Sequence, residues 1–315
     1  MPYRVLLAAV VTAAPLTITP HAEAAAVKPV IRYAGLSSCL QSDGGRHPCG
    51  PLKLWLSNGR VVPLPGARRT VGDDEYVAAA VVAVSQDGAR AAYFSGKDGV
   101  LTIWTAATGR AREIPKVTWP DDLQMNSLIL SPGGRYVSML GVDASEREVD
   151  RVADTTTGKV FTLPRGYQAW DFGPDGRWMM AGNNRTAVLY STGTWSVKLR
   201  RSVYMRGDLG PDGVTVAGTK WTKTGKTVRN MVVTRNLATG KKSTIPIRLR
   251  TGENPLRTRW DKAGHIDVLT RSDRRVGGEE RRLHTWYRLN RATHQLKRID
   301  SFLIPPSVGG YVLPT

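Results

Sequence analysis

The chain has 315 residues, is 41% hydrophobic and carries a formal net charge of +19. That apolar content and length suit a globular protein with a large core. Length alone favours about two domains, but closed all-β folds often run this long as one domain.

The first 26 residues are predicted to be a signal peptide, and residues 27–315 to be the exported domain. Arg4 is followed by the 14-residue apolar run Val5–Ile18 and by the small residues of Ala22–Ala26, which is the order of a cleavable leader. The apolar run is shorter than the roughly 20 residues that span a bilayer. A retained anchor is the alternative. No later segment is apolar enough to cross a membrane.

Cys39 and Cys49 are the only cysteines. An even number of cysteines in an exported chain favours a disulfide, which would close the short polar loop Leu40–Pro48. Two free thiols are the alternative.

A turn with a final glycine recurs between apolar runs. It occurs at Ser85–Gly88, Ser131–Gly134, Gly173–Gly176, Gly210–Gly213 and Asp261–Gly264. The final glycines are 46, 42, 37 and 51 residues apart, close to the period of about 40–50 residues in β-propeller blades. A strand-like run follows each turn: Ala89–Phe94, Tyr136–Leu140, Trp178–Ala181, Val214–Ala217 and His265–Leu269.

A second turn follows later in each repeat. It occurs at Thr108-Gly109, Thr157-Gly158, Thr192-Gly193, Thr239-Gly240 and, altered, Thr293-His294. Each repeat therefore contains four strands in about 45 residues and no long amphipathic helix, which predicts an all-β propeller blade.

Strand material at both ends predicts how the ring closes. Leu52–Leu56 and Arg60–Leu64 flank Asn58-Gly59, a strong hairpin signal, while Ser301–Thr315 supplies one or two further strands. We expect a single propeller of six four-stranded blades, closed by pairing of the N- and C-terminal strands, which removes free sheet edges. Five or seven blades, or an open two-domain sandwich, are the alternatives.

The Ser-Pro-Asp-Gly-like turns resemble the repeats of TolB-like and WD-type β-propellers, over about residues 52–299. The chain lacks room for the N-terminal α/β domain of TolB. The Trp-Asp ending of WD repeats is also absent, and its nearest analogues are Trp104 and Tyr190. The resemblance implies a propeller fold and a general binding role without naming a partner.

Sequence motifs of catalysis are missing. There is no Gly-x-Ser-x-Gly, Cys-x-x-Cys or His-Glu-x-x-His motif and no phosphate-binding glycine loop. We therefore predict no catalytic residue, no metal site and no cofactor.

The connections between blades suggest a ligand site at one mouth of the central channel. If both sets of turns lie on one face, these connections lie on the other, where they would bring carboxylates beside aromatic rings. The candidate residues are Asp73, Asp74, Trp119, Asp121, Asp122 and Tyr167. Such a site could bind a cation, an amine or a sugar, or serve a glycan-cleaving or lactone-hydrolysing enzyme. The alternative is solvated connectors, with Trp119 and Tyr167 packed between blades.

The positive charge is concentrated in the later repeats. Residues 194–298 contain 25 basic and eight acidic residues, whereas residues 28–192 contain 19 and 16. Two long polar loops are expected within the blades, at Lys220–Lys226 and Ser272–Arg282. They carry the predicted polyanion-binding flank, which consists of Lys220, Lys223, Lys226, Arg274, Arg275, Arg281 and Arg282.

These features predict a secreted, monomeric, non-enzymatic binding or scaffold propeller of the cell exterior or envelope. Its partner would be an unidentified protein or an anionic envelope polymer, and sequence-specific nucleic-acid binding is not expected. The alternative for the basic residues is a role in solubility alone.

Overall fold

The computed structural model describes residues 28–40, 46–71, 78–79, 81–202, 207–224, 227–276 and 279–314. The predicted signal peptide, residues 1–26, lies outside these ranges. Within them, no helix is long and apolar enough to cross a membrane.

The described residues form 26 strands and one 3-10 turn, Pro132–Gly134. The first thirteen strands are β1 Ile31–Leu40, β2 Arg46–Leu56, β3 Val61–Pro63, β4 Thr70–Val71, β5 Ala78–Ala79, β6 Val82–Val84, β7 Arg90–Phe94, β8 Val100–Thr105, β9 Arg110–Thr118, β10 Leu123–Leu130, β11 Tyr136–Asp143, β12 Glu148–Asp154 and β13 Val160–Thr162. The others are β14 Gln168–Phe172, β15 Trp178–Gly182, β16 Ala187–Ser191, β17 Val197–Arg201, β18 Asp208–Leu209, β19 Thr215–Thr224, β20 Thr227–Asn236, β21 Lys242–Ile247, β22 Asn254–Trp260, β23 Ile266–Val276, β24 Glu279–Leu289, β25 Leu296–Ile304 and β26 Val308–Val312.

The strands form six four-stranded antiparallel sheets, which are the blades of a propeller. Blade 1 has the order β26-β1-β2-β3, and blades 2 to 6 are β6–β9, β10–β13, β14–β17, β18–β21 and β22–β25. The small β4–β5 pair lies in the connection between blades 1 and 2. The first strands of successive blades from 2 to 6 contact one another and line a central channel. The prediction of an all-β, six-bladed propeller is confirmed.

The ring is closed within blade 1, because its strands come from both ends of the chain. The C-terminal strand β26 pairs with the N-terminal strand β1, with Ala34 opposite Val312 and Leu36 opposite Gly309. This closure was predicted. It pairs the N-terminal strand β1 on both edges, with β2 and with β26, and a paired edge cannot template aggregation.

The apolar core lies between the blades. Six clusters of buried side chains in the described part of the chain each join two neighbouring blades. Where blade 6 meets blade 1, the Tyr33 ring stacks on Trp55 at 4.6 Å and on Phe302 at 5.7 Å between centroids. Beside them, Arg32 forms a bidentate ion pair with Asp300. Each blade is therefore stabilised by its neighbours.

The glycine turns join the first and second strands of blades 2 to 6. In each turn the amide of the final glycine donates to the carbonyl three residues earlier, as Gly88 does to Ser85 at 2.7 Å and Gly213 to Gly210 at 3.0 Å. These glycines have φ between 68° and 82°, which explains the residue choice because L side chains avoid that region.

The Thr-Gly turns join the third and fourth strands and lie on the same side of the ring. Thr155 and Thr192 donate their hydroxyls to the carbonyls of the turn glycines Gly134 and Gly176, at 2.9 and 2.8 Å. We call this side the turn face. The other side, the hairpin face, carries the second-to-third-strand hairpins and the connections between blades.

Three neighbouring blades extend their hairpins on the hairpin face. In blade 5, β19 and β20 pair without register shift out to Thr224 and Thr227. In blade 6, β23 and β24 pair out to Val276 and Glu279. The sequence suggested polar loops at 220–226 and 272–282, but their described residues are paired strands. Many of their charged side chains face solvent, so these strands lack the apolar pattern of a core strand.

Blade 1 has the third long hairpin, β1–β2. Cys39 and Cys49 form the predicted disulfide across it, with 5.8 Å between their Cα atoms. Ser37 lies opposite Cys49 and Cys39 opposite His47, so the bond joins diagonal neighbours.

We predict that Gly213→Ala destabilises the protein more than Gly240→Ala does. Both glycines have positive φ, 69° and 77°, and this strain costs about 1–2 kcal/mol for alanine. A Cβ at Gly213 would also lie 2.5 Å from the Trp178 indole of blade 4, whereas nothing lies within 4 Å at Gly240. Such crowding adds about 1–3 kcal/mol.

Urea unfolding of both variants measures this difference. Equal losses in the free energy of unfolding would show that the turn of blade 5 is not packed tightly against blade 4.

Candidate functional site

A cavity of about 580 Å³ occupies the channel between blades 3, 4, 5 and 6. Its wall includes Ser127, Gln168, Trp170, Asp208, Thr219 and Arg257. Gln168 begins the first strand of blade 4 and Asp208 that of blade 5. The channel cavity therefore lies toward the hairpin face, where each of these first strands starts.

A buried aspartate of blade 3 is bonded to blade 4. Asp150 is 1% exposed. Its carboxylate accepts the Ser138 hydroxyl at 2.7 Å within the blade and the Ala169 amide of β14 at 2.6 Å. Burial raises the pKa of Asp150 to about 6, although the hydrogen bonds oppose this shift.

Two further aspartates continue this linkage around the channel. Asp171 of blade 4 accepts the Leu209 amide of blade 5 at 2.7 Å. Asp208 of blade 5 accepts the Thr258 hydroxyl at 2.6 Å and Arg257 Nη2 at 3.0 Å, both from blade 6. Burial, reinforced by the charge of Asp208, holds the pKa of Asp171 well above its usual range. Burial therefore favours the protonated form of Asp171.

The three aspartates thus connect blades 3 to 4, 4 to 5 and 5 to 6. A buried carboxylate is tolerated only when hydrogen bonds replace its hydration, and each of these three carboxylates accepts at least one bond from the next blade. Among the described residues, no group of three or more His, Cys, Asp or Glu side chains is arranged to hold a metal ion.

Arg257, in the wall of the channel cavity, keeps one donor atom inside the protein. Its Nη2 pairs with Asp208, whereas its Nε is buried, with almost no surface open to the cavity, and has no hydrogen-bond partner among the described residues. Buried donors normally have an acceptor, so this Nε is an exception.

A second, smaller cavity of about 270 Å³ lies at the turn face. There the Arg259 guanidinium stacks on the Trp286 ring at 4.0 Å, donates to Asp267 at 3.3 Å and reaches the Gln86 carbonyl of blade 2 at 3.3 Å. Burial lowers the pKa of Arg259. The Arg259–Gln86 contact therefore links blade 6 directly to blade 2 on the turn face.

The structure describes four of the six predicted channel-mouth residues: Trp119, Asp121, Asp122 and Tyr167. Asp73 and Asp74 are outside the described residues. Asp122 forms a bidentate pair with Arg151 at 2.5 and 2.8 Å, and its neighbour Asp121 is exposed. Bonding to Arg151 lowers the pKa of Asp122.

The two aromatic residues of that predicted site contact their own surroundings. Trp119 packs edge-on against Phe94 at 5.2 Å, beneath the Arg68 guanidinium. The Tyr167 hydroxyl accepts Arg200 Nη1 at 3.2 Å. None of the described members of the set lines the channel cavity.

The predicted polyanion-binding flank lies on the extended hairpins of blades 5 and 6. Lys220 and Lys223 are exposed on β19, and Arg274, Arg275 and Arg282 on the blade 6 hairpin; Lys226 lies outside the described residues. Arg274 and Arg281 are directly opposite each other.

Asp171 and Asp208 were not among the site residues predicted from the sequence. A signal was present, because Asp171 and Asp208 each stand two residues before a Gly-Pro-Asp-Gly turn. A charged residue at that place in an otherwise apolar first strand marks an inward, inter-blade position.

The fold and its repeats define this chain as a six-bladed β-propeller. Its structure is similar to TolB from Acinetobacter baumannii, with 15% identity and a TM-score of 0.46, covering 90% of this chain and 65% of that one. It is also similar to a putative TolB from Agrobacterium tumefaciens, with 13% identity, a TM-score of 0.47 and coverage of 74% and 85%.

A third similar structure is an oligogalacturonate lyase in complex with manganese, with 13% identity, a TM-score of 0.41 and coverage of 70% and 64%. These likenesses concern the fold alone. This chain spans about 65% of the length of the Acinetobacter TolB chain. No protein-family model matches the chain, and no curated protein matches it in sequence.

We predict that Asp150→Asn changes how stability depends on pH. The folded-state pKa of Asp150, about 6, lies above the unfolded value of about 3.9. The folded state therefore binds more protons between these values, and wild-type stability falls relative to the variant as pH rises from about 4 to 6. The expected relative loss is about 3 kcal/mol, with no further change above pH about 7.

Urea unfolding across this pH range measures the effect, and the exposed Asp121→Asn variant controls for removal of a carboxylate. A stability difference between wild type and Asp150→Asn that does not vary with pH would contradict the prediction.

Proposed function

We propose that this chain is an exported, non-enzymatic binding propeller that holds an anionic polymer of the cell envelope on its hairpin face. The observation that carries the proposal is the pair of extended hairpins in blades 5 and 6. They are neighbours in the ring, they project from the same face, and they carry the exposed cations Lys220, Lys223, Arg274 and Arg275.

The electrostatics favour a polymer with repeated negative charges. The surplus of basic over acidic residues lies almost entirely in residues 194–298, most of which belong to blades 5 and 6. A surface of one sign attracts polyanions over a Debye length of about 8 Å at physiological salt. Paired strands hold these charges at fixed spacing, which lowers the entropy lost when the polymer binds.

Export is proposed from two features. The N-terminal apolar run, Val5–Ile18, is typical of a leader, and the Cys39–Cys49 disulfide is compatible with an oxidising compartment. Polymers outside the cell are therefore the partners to test.

An enzyme is the second candidate, and the neighbouring carboxylates of Asp171 and Asp208 favour it. Two nearby carboxyl groups with different protonation can provide an acid and a base. Both carboxylates, however, accept hydrogen bonds from the next blade, which a structural role explains.

We predict that Lys220→Gln/Lys223→Gln/Arg274→Gln/Arg275→Gln weakens binding to polyphosphate about tenfold at low salt, because four fixed cations are lost from one face. The matched control, Lys97→Gln/Lys159→Gln/Arg110→Gln/Arg112→Gln, removes the same charge from exposed positions in blades 2 and 3 and should weaken binding less than about threefold.

Fluorescence anisotropy with labelled polyphosphate, followed by co-sedimentation with envelope fractions, provides the measurements. Equal losses in the two variants would show that net charge, and not the hairpin face, determines binding.

The enzyme candidate predicts a different result. Wild-type protein should then cleave glycans or lactones, Asp208→Asn should abolish that activity, and Asp150→Asn, which changes a buried inter-blade aspartate outside the cavity lining, should retain it. Activity with this pattern would replace the non-enzymatic proposal.

A further inference from the structure

Building on the proposed binding of a polymer to these two hairpins, we infer that the ligand is a sugar chain. It would lie in the cleft between the hairpins, stack on Trp221 and insert its end into the channel cavity. The channel cavity and the cleft carry this inference through separate observations.

The channel cavity suits a neutral, hydroxyl-rich group. Among the described residues of its wall, the charged side chains are Asp208 and Arg257, and they pair with each other at 3.0 Å. A charged ligand group would have to compete with this ion pair, whereas a neutral hydroxyl group would not. Ser127, Gln168 and Thr219 supply neutral polar groups to the wall, and such groups can exchange hydrogen bonds with sugar hydroxyls.

The wall also has apolar surface for the carbon side of a sugar ring. Trp170 of β14 is half-buried against the neighbouring strand β15 of the same blade, where a Cβ at Gly182 would lie 2.8 Å from its indole. Ile129, Leu140 and Leu256 lie elsewhere in the wall. Sugar C–H groups carry partial positive charge and complement the electron-rich face of an indole. The cavity volume is within the range of about 300–1,000 Å³ for small-ligand sites.

The cleft follows from the alternation of side chains along β19. Val216 packs toward blade 4 and Ala217 toward blade 6. Since β19 pairs without a register shift, every second residue after Ala217 faces blade 6. Thr219 reaches the channel cavity in this way, and Trp221 and Lys223 follow on the same face.

Blade 6 presents a matching polar wall. Val268 of β23 packs toward blade 5, whereas Leu269 packs toward blade 1, so Ser272 and Arg274 face blade 5. We define the inter-hairpin cleft by Trp221, Lys223 and Asn230 of blade 5 and Ser272 and Arg274 of blade 6.

Trp221 is the strongest indication of a ligand in this cleft. It is 63% exposed, although Ala217, four residues earlier on the same face of β19, is fully buried. Tryptophan is enriched among the residues that contribute most to binding energy at interfaces. From Thr219 at the cavity to Trp221 is a rise of about 6.6 Å along the strand, so a chain of linked rings reaches both. Lys223 and Arg274 lie farther out, where an acidic substituent on the chain would meet them.

The test is calorimetric titration of residues 27–315 with three neutral tetrasaccharides: cellotetraose, N-acetylchitotetraose and maltotetraose. We expect at least one to bind. Trp221→Ala should raise its Kd about tenfold or more, while Trp221→Phe, which keeps an aromatic face, should stay within about threefold. Leu40→Ala, which truncates another exposed apolar residue on the blade 1 hairpin (68% exposed), is the control and should leave the Kd unchanged.

Two results would overturn the inference: no tetrasaccharide binds at millimolar concentration, or Trp221→Ala binds as tightly as wild type. Polyphosphate binding separates this failure from failure of the proposed function. If wild type binds polyphosphate through the hairpins but binds no sugar, the proposed polyanion surface is supported and the sugar site is contradicted. If sugars bind at Trp221 but polyphosphate does not bind to the hairpins, the sugar site is supported and the proposed polyanion surface is contradicted.

Discussion

A propeller blade has two apolar faces, and each can be buried only against another blade. The six side-chain clusters therefore span blade boundaries, and the structure depends on a closed ring. Closure relies on β26 pairing with β1 and on the aromatic stack of Tyr33, Trp55 and Phe302 beside it. An open ring would expose an apolar face at each end, so the contact between the two chain ends supports every other blade.

Polar contacts then fix how the blades sit around the channel. Apolar packing tolerates small slips between sheets, whereas a buried carboxylate must meet its donor within about 3 Å. Asp150, Asp171 and Asp208 impose that requirement at three successive boundaries. These boundaries surround the channel cavity, so the bonds that hold the blades in register also give the cavity its shape. Their cost is burial of carboxyl groups, seen in the raised pKa values of Asp150 and Asp171.

Local features of the fold were predictable, and features formed between blades were not. The turns at Ser85–Gly88 and Gly210–Gly213 are encoded by their own residues, since glycine is needed at positive φ, and their spacing revealed the blades. The extended hairpins were read as loops because polar residues on both faces hide strand alternation. The Asp171–Asp208 pair joins strands of different repeats, and one repeat does not specify which side chains meet across a boundary. The sequence shows a tryptophan at position 221, but it does not show that this side chain is exposed.

Closure within blade 1 also determines how the protein would be oriented by an attachment. β1 begins and β26 ends on the turn face, so both described ends of the chain emerge there, opposite the inter-hairpin cleft. A membrane anchor, a fused domain or a surface linkage at either end would leave the cleft pointing outward and unobstructed. Immobilisation through a terminus would thus display the hairpin face to the surroundings, with the ring acting as a spacer between the support and whatever the hairpins hold.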